Sequence, residues 1–395
     1  MNCSRVFFSL AVACELVCFF WLPARSQQPT TFTSITPGGV WPADDGKHID
    51  CHAGNIIYSA QSKRYYWFGE HRGSPGGVAC YSSADLYNWK NEGLAMQKGA
   101  IAVLERPKVA YNATTKKYVL WFHYDNGGYG LAHLGVASSD SIQGPYTLVD
   151  HFLPNGHQSR DMGMYCDDNG KVYIIYAADP TNVTIRIVEL TADYLNVTTN
   201  DVDIQAHCEG PGILKINGVY YLITSKCSGW TPNQATYYTA TSATGPFTSK
   251  GDPCVGDTNH TTFNSQPCNI FQIPGYTNGF MYMGDRWNGV GSANSQYVFL
   301  PITITSTGAM QIKWAGSWTP SGVFTPSSVN EKSVYDFKRA VFNNTVNHTV
   351  LRTFDLLGRI QISTSSTAGP TCKTVYLRNN GVENGPKSDG TYVIR

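Results

Sequence analysis

Residues 209–225 read EGPGILKINGVYYLITS, and this stretch contains the unit from which most of the chain is built. Two apolar runs flank Asn217-Gly218, a dipeptide typical of a tight turn between antiparallel strands. The first run opens with the carboxyl residue Glu209, and the second is rich in tyrosine. We therefore expect a β-hairpin whose first strand begins with an acidic side chain.

The same arrangement occurs five times, each time as a short apolar strand that opens with a polar residue. The openings are His52-Ala53-Gly54, Glu105-Arg106-Pro107, Arg160-Asp161-Met162, Glu209-Gly210-Pro211 and Ser265-Gln266-Pro267. Aromatic-rich second strands follow at 64–70, 117–123, 171–177, 218–224 and 279–285, so their starts are 53, 54, 47 and 61 residues apart. Multi-stranded repeats of this length predict an all-β fold, a five-bladed β-propeller with a short C-terminal extension.

A propeller would bring distant side chains to one place, because the innermost strand of every blade lines the central axis. Glu105, Asp161, Glu209 and Gln266 would then face one another across a single pocket. The ring fits one domain, 27–318, and the repeat stops near Trp318. Residues 319–395 are polar and unassigned, either a partial accessory β module or a loosely packed tail.

The composition limits the class of partner. The chain has 395 residues, of which 14% are charged, and a formal net charge of +1. A charge this close to zero indicates neither a nucleic-acid nor an acidic-lipid partner. The low charge and the abundance of tyrosine and tryptophan favour a β-rich secreted protein.

The N-terminus predicts a secretory signal over residues 1–26. Arg5 precedes the apolar run 6–22, and small residues lie near its end. No later stretch approaches the roughly 20 apolar residues of a membrane-spanning helix. We expect a secreted, extracellular, monomeric glycoprotein, with N-glycosylation sequons at Asn112, Asn182, Asn196, Asn259, Asn343 and Asn347.

Eight cysteines remain after the signal, an even number compatible with disulfide bonds in an oxidising compartment. If Asn217-Gly218 is a two-residue turn, the numbers of facing residues sum to 435, which pairs Cys208 with Cys227. Cys254 and Cys268 could close a short loop. Cys-x-x-Cys spacing does not occur, so a zinc site is not expected.

The carboxyl residues at the strand openings predict acid–base chemistry. Burial and like-charge neighbours separate carboxyl pKa values, so that one group stays protonated while another is ionised. Glycoside hydrolysis needs this division, with an acid for the leaving oxygen and a group that activates water. Glu209 is the candidate acid, and Asp161 the residue that orients it and raises its pKa. The alternative is that both carboxyls satisfy backbone amides or pair with Arg160 and Arg106.

Several motifs resemble glycoside hydrolase family 43 over residues 48–318. They are the order of the openings, Glu209-Gly210-Pro211 followed by a Gly-x-Tyr-Tyr-Leu strand, and the Gly-Pro-aromatic turns at 144–146 and 245–247. The resemblance implies a propeller of inverting enzymes with an Asp base in blade one, an Asp modulator in blade three and a Glu acid in blade four. Asp161 and Glu209 match the last two. Ala53 stands where the base would be, and Asp50 is not an obvious substitute.

The exo-β-1,3-galactanase branch of the family also lacks the blade-one Asp, and the chain resembles that branch in further motifs. These are IDCHAG at 49–54, YYWFGE at 65–70, ERPKV at 105–109 and NSQ at 264–266. The resemblance implies that Gln266 holds the nucleophilic water, with Glu105 close by. A neutral amide is a very weak base, so Gln266 would pass the proton on as its imidic tautomer or orient a water that Glu105 deprotonates. A plain hydrogen bond from Gln266 to the sugar is a further alternative.

Other groups complete the expected pocket. Tyr129, in a glycine-rich loop, resembles a residue that contacts the terminal galactose, and Glu70 either binds a sugar hydroxyl or pairs with Arg72. Trp230 and Trp287 are interpreted as stacking platforms for sugar faces. No cofactor is required. His52 is interpreted as structural, or as a ligand through water of a structural calcium ion in the axial channel.

The predicted function is that of a secreted, inverting exo-β-1,3-galactanase. It would release galactose from the non-reducing ends of β-1,3-galactan and arabinogalactan oligosaccharides, such as the backbone of arabinogalactan proteins. One alternative is a β-xylosidase or α-L-arabinofuranosidase, against which Ala53 argues because those enzymes rely on the blade-one Asp. The other is a non-catalytic, lectin-like propeller that binds galactan.

Overall fold

The computed structural model describes residues 31–180 and 182–327, together with four strands between residues 348 and 394. The chain divides into two compact units, Met1–Pro326 and Ser327–Arg395. The expected signal segment, Cys372 and the sequons at Asn343 and Asn347 lie outside the described residues. In the described part, no helix is both long and apolar enough to cross a membrane.

The first unit is an all-β propeller of five sheets, as the repeats predict. Blades one to four are antiparallel sheets of four strands in chain order. Blade one comprises β1 (His52–Ser59), β2 (Arg64–His71), β3 (Gly77–Ser83) and β4 (Lys90–Gln97), and blade two comprises β5 (Val103–Asn112), β6 (Lys117–Asp125), β7 (His133–Ser139) and β8 (Thr147–Phe152). Blade three comprises β9 (Ser159–Cys166), β10 (Val172–Ala178), β11 (Thr184–Leu190) and β12 (Val197–Asp203), and blade four comprises β13 (Glu209–Ile216), β14 (Val219–Ser225), β15 (Thr236–Ala240) and β16 (Thr248–Gly251).

Blade five differs in its outer edge. Its strands are β17 (Cys254–Val255), β18 (Gln266–Gln272), β20 (Phe280–Arg286), β21 (Gln296–Ile304) and β22 (Met310–Lys313), and β19 (Tyr276–Thr277) pairs with β23 (Thr325–Pro326). The sheet order is β17-β22-β21-β20-β18, so β18 is the inner strand. A 3₁₀ turn at Pro154–Gly156 and α1 (Pro320–Val323) are the helical pieces in the described part of this unit. The second unit contains one sheet of β24 (His348–Phe354), β25 (Ile360–Ser366), β26 (Lys373–Leu377) and β27 (Val393–Ile394).

Five apolar cores hold the ring together, one between each pair of neighbouring blades. Successive side chains of a strand point to opposite faces of the sheet. On β2, Tyr65 and Trp67 therefore pack towards blade five, whereas Tyr66 and Phe68 pack towards blade two. The second strands are apolar and aromatic throughout because both of their faces are buried.

A β-bulge interrupts the opening of every inner strand, where the register with the second strand shifts by one residue. The shifts lie between His52 and Asn55, Glu105 and Lys108, Ser159 and Met162, Glu209 and Gly212, and Pro267 and Asn269. At three bulges one residue has positive φ: Ala53 (51°), Arg106 (55°) and Gly210 (61°). A bulge redirects the adjacent side chains, and here it does so at the axial end that carries the polar openings.

The expected Cys208–Cys227 disulfide is wrong, since both thiols are free. The Asn217-Gly218 turn forms as predicted, and the pairs from Gly212–Ile223 to Ile216–Val219 keep the expected sum. The bulge then shifts the register, so that Glu209 faces Ser225 and Cys208 is no longer opposite Cys227.

The expected bridge between Cys254 and Cys268 is also wrong. Both thiols are buried and free, and they lie on β17 and β18, at opposite edges of the blade-five sheet. Three strands separate them, which is beyond the reach of a disulfide.

Candidate active site

The Glu209 carboxyl, at the start of β13, is the centre of the polar cluster at the axis. Asn182 Nδ2 donates a hydrogen bond to its Oε2 at 3.0 Å, and Gln266 Nε2 donates to its Oε1 at 3.0 Å. The side chain is buried, and this burial, followed by the nearby negative charge of Asp161, raises the pKa of Glu209 to about 7. Glu209 is therefore a carboxyl that can hold a proton in mildly acidic solution.

Asp161 contacts the strand that carries Glu209. Its Oδ2 accepts from the Gly210 backbone N–H at 3.1 Å and forms an ion pair with Arg106 Nη2 at 2.6 Å. The ion pair with Arg106 that the sequence left open is thus present, and Asp161 also lies beside Glu209. Arg160 instead donates to the backbone carbonyl of Asp179.

Gln266 lies against Glu209, and its amide is saturated with hydrogen bonds. Its Oε1 accepts from Arg106 Nη2 at 2.7 Å and from Trp287 Nε1 at 2.8 Å. Its Nε2 donates to Glu209 and to Ser225 Oγ, the latter at 3.2 Å. Because guanidinium and indole groups only donate, these contacts fix which amide atom is oxygen. Among the described residues, the partners of Gln266 leave its amide no acceptor position for a water.

Glu105 reaches the same end of the axis from blade two. Tyr129 Oη donates to its Oε1 at 2.8 Å, and His123 Nδ1 lies 3.3 Å from its Oε2. Its side chain is 20% exposed. Burial raises the pKa of Glu105, but the hydrogen bonds from His123 and Tyr129 and the charges of His123 and Arg72 outweigh it, so that the pKa is lowered. Glu105 and Glu209 thus have pKa values shifted in opposite directions.

Glu70, at the end of β2, forms the salt bridge to Arg72 that the sequence offered as one alternative. Arg72 Nη2 lies 2.5 Å from Glu70 Oε2, and the Arg106 backbone N–H donates to Oε1 at 2.8 Å. Its side chain is almost fully buried. Both carboxylate oxygens therefore hold neighbouring protein groups in place.

The two tryptophans differ in exposure. Trp230 is 39% exposed at the rim of a cleft that Ser225 and Gln266 also line, so its face is available to a sugar. Trp287 is only 4% exposed, because Trp230 packs edge-on against it at 5.2 Å and the Arg72 guanidinium covers it at 4.8 Å. Trp287 lines the same cleft, but little of its face is exposed, so its stacking role stays a prediction, and the contact that the structure shows is the hydrogen bond from its indole to Gln266.

In blade one, Ala53 has no carboxyl to offer, and its backbone N–H donates to Asp285 Oδ2 at 3.0 Å. His52 lies between two carboxylates, 3.2 Å from Asp50 Oδ1 and 3.3 Å from Asp285 Oδ1. Burial lowers the pKa of His52, but the hydrogen bonds to Asp285 and Asp50 outweigh it and raise the pKa to about 9. Asp50 is thereby committed to an internal ion pair.

The axial channel does not fit a calcium ion. Lys108 is fully buried there, with Nζ 2.6 Å from the Ala53 carbonyl oxygen and 3.3 Å from that of Arg106. The Lys108 ammonium group thus hydrogen-bonds to backbone carbonyl oxygens that a calcium ion would need as ligands. Burial lowers the pKa of Lys108 to about 8. Within the described residues, no group of three or more His, Cys, Asp or Glu side chains could hold a metal ion.

Sequence reasoning missed several groups around Glu209. Arg106 was considered only as a partner of the carboxyls, and the structure shows that it bridges Asp161 and Gln266. Asn182 was noted only as a sequon, yet its Nδ2, the atom that would carry a glycan, donates to Glu209. Ser225 follows the tyrosine-rich strand and carried no signal of its own.

The fold and the site together define a glycoside hydrolase. Residues 51–288 match the model of the glycosyl hydrolases family 43, and the chain belongs to that family. Its structural neighbours include a β-1,3-galactosidase solved with galactodeoxynojirimycin, which is 36% identical, with a TM-score of 0.69 and coverage of 72% of this chain and 100% of that one. They also include an exo-β-1,3-galactanase from Phanerochaete chrysosporium solved with galactose, 31% identical, with a TM-score of 0.67 and coverage of 84% and 78%.

A more distant relative is a β-D-galactofuranosidase of Aspergillus niger, 27% identical over 276 residues, or 62% of this chain and 78% of that protein. The structural neighbours agree with the exo-β-1,3-galactanase branch that the motifs indicate.

Proposed function

We propose that this protein is a secreted, inverting exo-β-1,3-galactanase that releases galactose from the non-reducing ends of β-1,3-galactan, such as the backbone of arabinogalactan proteins. The observation that carries the proposal is Glu209: a buried carboxyl with its pKa raised to about 7, held between two side-chain amides at the axis of a propeller. The names of the structural neighbours, a β-1,3-galactosidase and an exo-β-1,3-galactanase, support galactan as the substrate class.

Glu209 is the proposed general acid. Its proton passes to the glycosidic oxygen while the bond from that oxygen to the anomeric carbon breaks. Asp161 favours the protonated form by like-charge repulsion and is itself held by Arg106. The acid is ready before substrate arrives, because burial has already raised its pKa.

A water must attack the anomeric carbon from the opposite face and lose a proton. Glu105 is the better acceptor for that proton, since its lowered pKa keeps it ionised and a fifth of its side chain is exposed. Blades two and four are not neighbours in the ring, so Glu105 and Glu209 approach the pocket from different directions. Gln266 then holds Glu209 in place, and its saturated amide argues against a role as the base.

Replacement of Glu209 tests the proposal. Glu209→Gln keeps the shape and one of the two acceptor oxygens, places an N–H group where the other oxygen was, and cannot donate a proton as a carboxylic acid does. We expect kcat on β-1,3-galactobiose to fall by roughly 10²–10⁴-fold, the range for loss of a general acid. Glu189→Gln, on the third strand of blade three, is the matched control and should retain activity. Wild-type turnover by the Glu209 variant, with an unchanged circular dichroism spectrum, would refute the role.

The wild-type protein separates this proposal from its rivals. Galactose released as the α-anomer, observed by proton NMR, supports an inverting β-galactanase. Cleavage of aryl xyloside or arabinofuranoside in preference to galactobiose would favour the other family activities. Binding of galactan without release would indicate a lectin-like propeller.

A further inference from the structure

Two buried ionisable side chains, His123 and Asp125, lie in a row behind Glu105. His123 Nδ1 lies 3.3 Å from Glu105 Oε2, and His123 Nε2 lies 3.1 Å from Asp125 Oδ2. The side chains of His123 and Asp125 are 1% and 0% exposed. Glu105 is 20% exposed, so the two buried groups can act on a substrate only through it.

Asp125 also anchors the loop that carries Tyr129. Its carboxylate accepts the backbone N–H groups of Asn126, Leu131 and Ala132 at 2.7, 2.8 and 2.9 Å. These contacts close the loop and place the Tyr129 hydroxyl 2.8 Å from Glu105 Oε1. Both oxygens of Glu105 are therefore held by groups that depend on Asp125, one through His123 and one through the loop.

The hydrogen bonds also restrict where protons lie. Asp125 already accepts three N–H groups, which favours its ionised form, so His123 Nε2 must carry the proton it shares with Asp125. While Glu105 is ionised, its contact with His123 needs a second proton, which must then lie on Nδ1.

We propose that the His123–Asp125 pair is a positioning unit that holds Glu105 ionised and aimed at the nucleophilic water. The inference rests on the proposed galactanase function and adds residues to it. In the step, a water O–H bond breaks, its oxygen bonds to the anomeric carbon, and the proton moves to Glu105. The leaving oxygen takes the proton of Glu209, so charge is conserved, and solvent later returns each carboxyl to its starting state.

Several charged groups face this row of side chains from neighbouring elements. Arg72 favours ionised Glu105, and Glu70 opposes it. His133 faces Asp125 from β7. These groups stay in place when His123 is replaced, so a change confined to His123 isolates its contribution.

Two substitutions of His123 divide its contacts. His123→Asn keeps an N–H near the Nδ1 position, towards Glu105, and loses the contact with Asp125. His123→Gln keeps an N–H near Nε2 and loses the contact with Glu105. His260→Asn, an exposed histidine 3.4 Å from Asp252, is the matched control. All are assayed for kcat and KM on β-1,3-galactobiose from pH 3.5 to 8.5, with circular dichroism to monitor folding.

We expect the acid limb of the kcat/KM profile to move up by about one pH unit in both variants, because a positively charged partner of Glu105 is lost. The loss should grow as the pH falls, approach ten-fold only at the acid end of the range, and be small near pH 6.5, mainly in kcat. A uniform loss at all pH values, or profiles that match His260→Asn, would refute the proposal. A wild-type protein that releases no galactose would instead refute the proposed function.

Histidine-selective ¹⁵N NMR tests the pair without turnover, and so decides the case if a His123 variant fails to fold. Resonances are assigned by their loss in His123→Gln or, if that does not fold, by contact with labelled Asp125. In Glu105→Gln, the chemical shift of His123 Nδ1 should move from the value of a protonated nitrogen towards that of an unprotonated one. The resonances of the other histidines should not change. An Nδ1 titration identical in wild type and Glu105→Gln would show that the two groups share no proton.

Discussion

The Glu209 carboxyl accepts hydrogen bonds from two side-chain amides, which favour its ionised form, and lies in a buried site beside Asp161, which favours its acid form. Burial and the like charge prevail, and the pKa rises to about 7. The amides come from the β10–β11 connection and from blade five, and the aspartate from blade three. The chemistry of this residue is therefore set by neighbours far away in the sequence.

Removal of the Asp161 charge should change the pH dependence of the reaction in a known direction. Because the proposed role of Glu209 requires a protonated carboxyl, kcat/KM of the wild type should fall as pH rises through about 7. In Asp161→Asn the like charge is gone and Arg106 has lost its partner, and both changes lower the pKa of Glu209. The basic limb should move down by about one pH unit.

The profile is measured on β-1,3-galactobiose, with Asp140→Asn as the control, since that carboxylate is exposed and pairs with Lys117. An unmoved basic limb in Asp161→Asn would mean that Asp161 does not tune the acid.

Among the elements, the inner strands are distinctive because each opens with a β-bulge. The bulge adds one residue to the inner strand, so the polar opening leaves the regular alternation that the rest of the strand obeys. Apolar positions beyond the bulge still pack between blades, while the opening residues turn to the axis. This division lets one strand serve both the core and the site.

Gly210 provides a test of the bulge in blade four. Its φ is +61°, and a Cβ there would lie 2.7 Å from the Pro267 carbonyl oxygen and 3.4 Å from Gln266 Cγ. Gly210→Ala should cost at least about 1–2 kcal/mol of unfolding free energy from backbone strain. Because the clash displaces groups beside Glu209, kcat should also fall, by roughly ten-fold or more.

The matched control is Gly218→Ala, which also has positive φ but open space around its Cβ. It should lose a similar strain energy in urea unfolding and keep full activity. Equal activity in the two alanine variants would contradict a role for the bulge in placing the site.

In the whole propeller unit, the ring must close between its last and first blades. Ile35 and Trp318 exchange backbone hydrogen bonds at 2.8 and 3.0 Å, and the Trp318 indole donates to the Phe299 carbonyl oxygen at 2.9 Å. Trp318 is buried in the core between blades five and one. The two ends of the repeat are thus joined by a bridge outside the blades.

Trp318→Ala should destabilise the ring by about 3–5 kcal/mol, the cost of removing a large aromatic side chain from a core. Trp314→Ala, four residues away at a side chain 45% exposed, should cost less than about 1 kcal/mol. Urea unfolding followed by tryptophan fluorescence measures both, after correction for the lost fluorophore. Equal midpoints for the two variants would show that closure does not depend on Trp318.

Local chemistry in the sequence determined the number of blades, the Asn217-Gly218 turn and the polar opening of each inner strand, because turn formation and the alternation of apolar residues act over a few neighbours. Contacts between blades were decided only in the tertiary structure. The bulge that separates Cys208 from Cys227, the saturated amide of Gln266 and the burial of Trp287 each depend on how neighbouring strands pack. Such contacts join residues tens to hundreds of positions apart, and they leave no mark in the pattern of either strand alone.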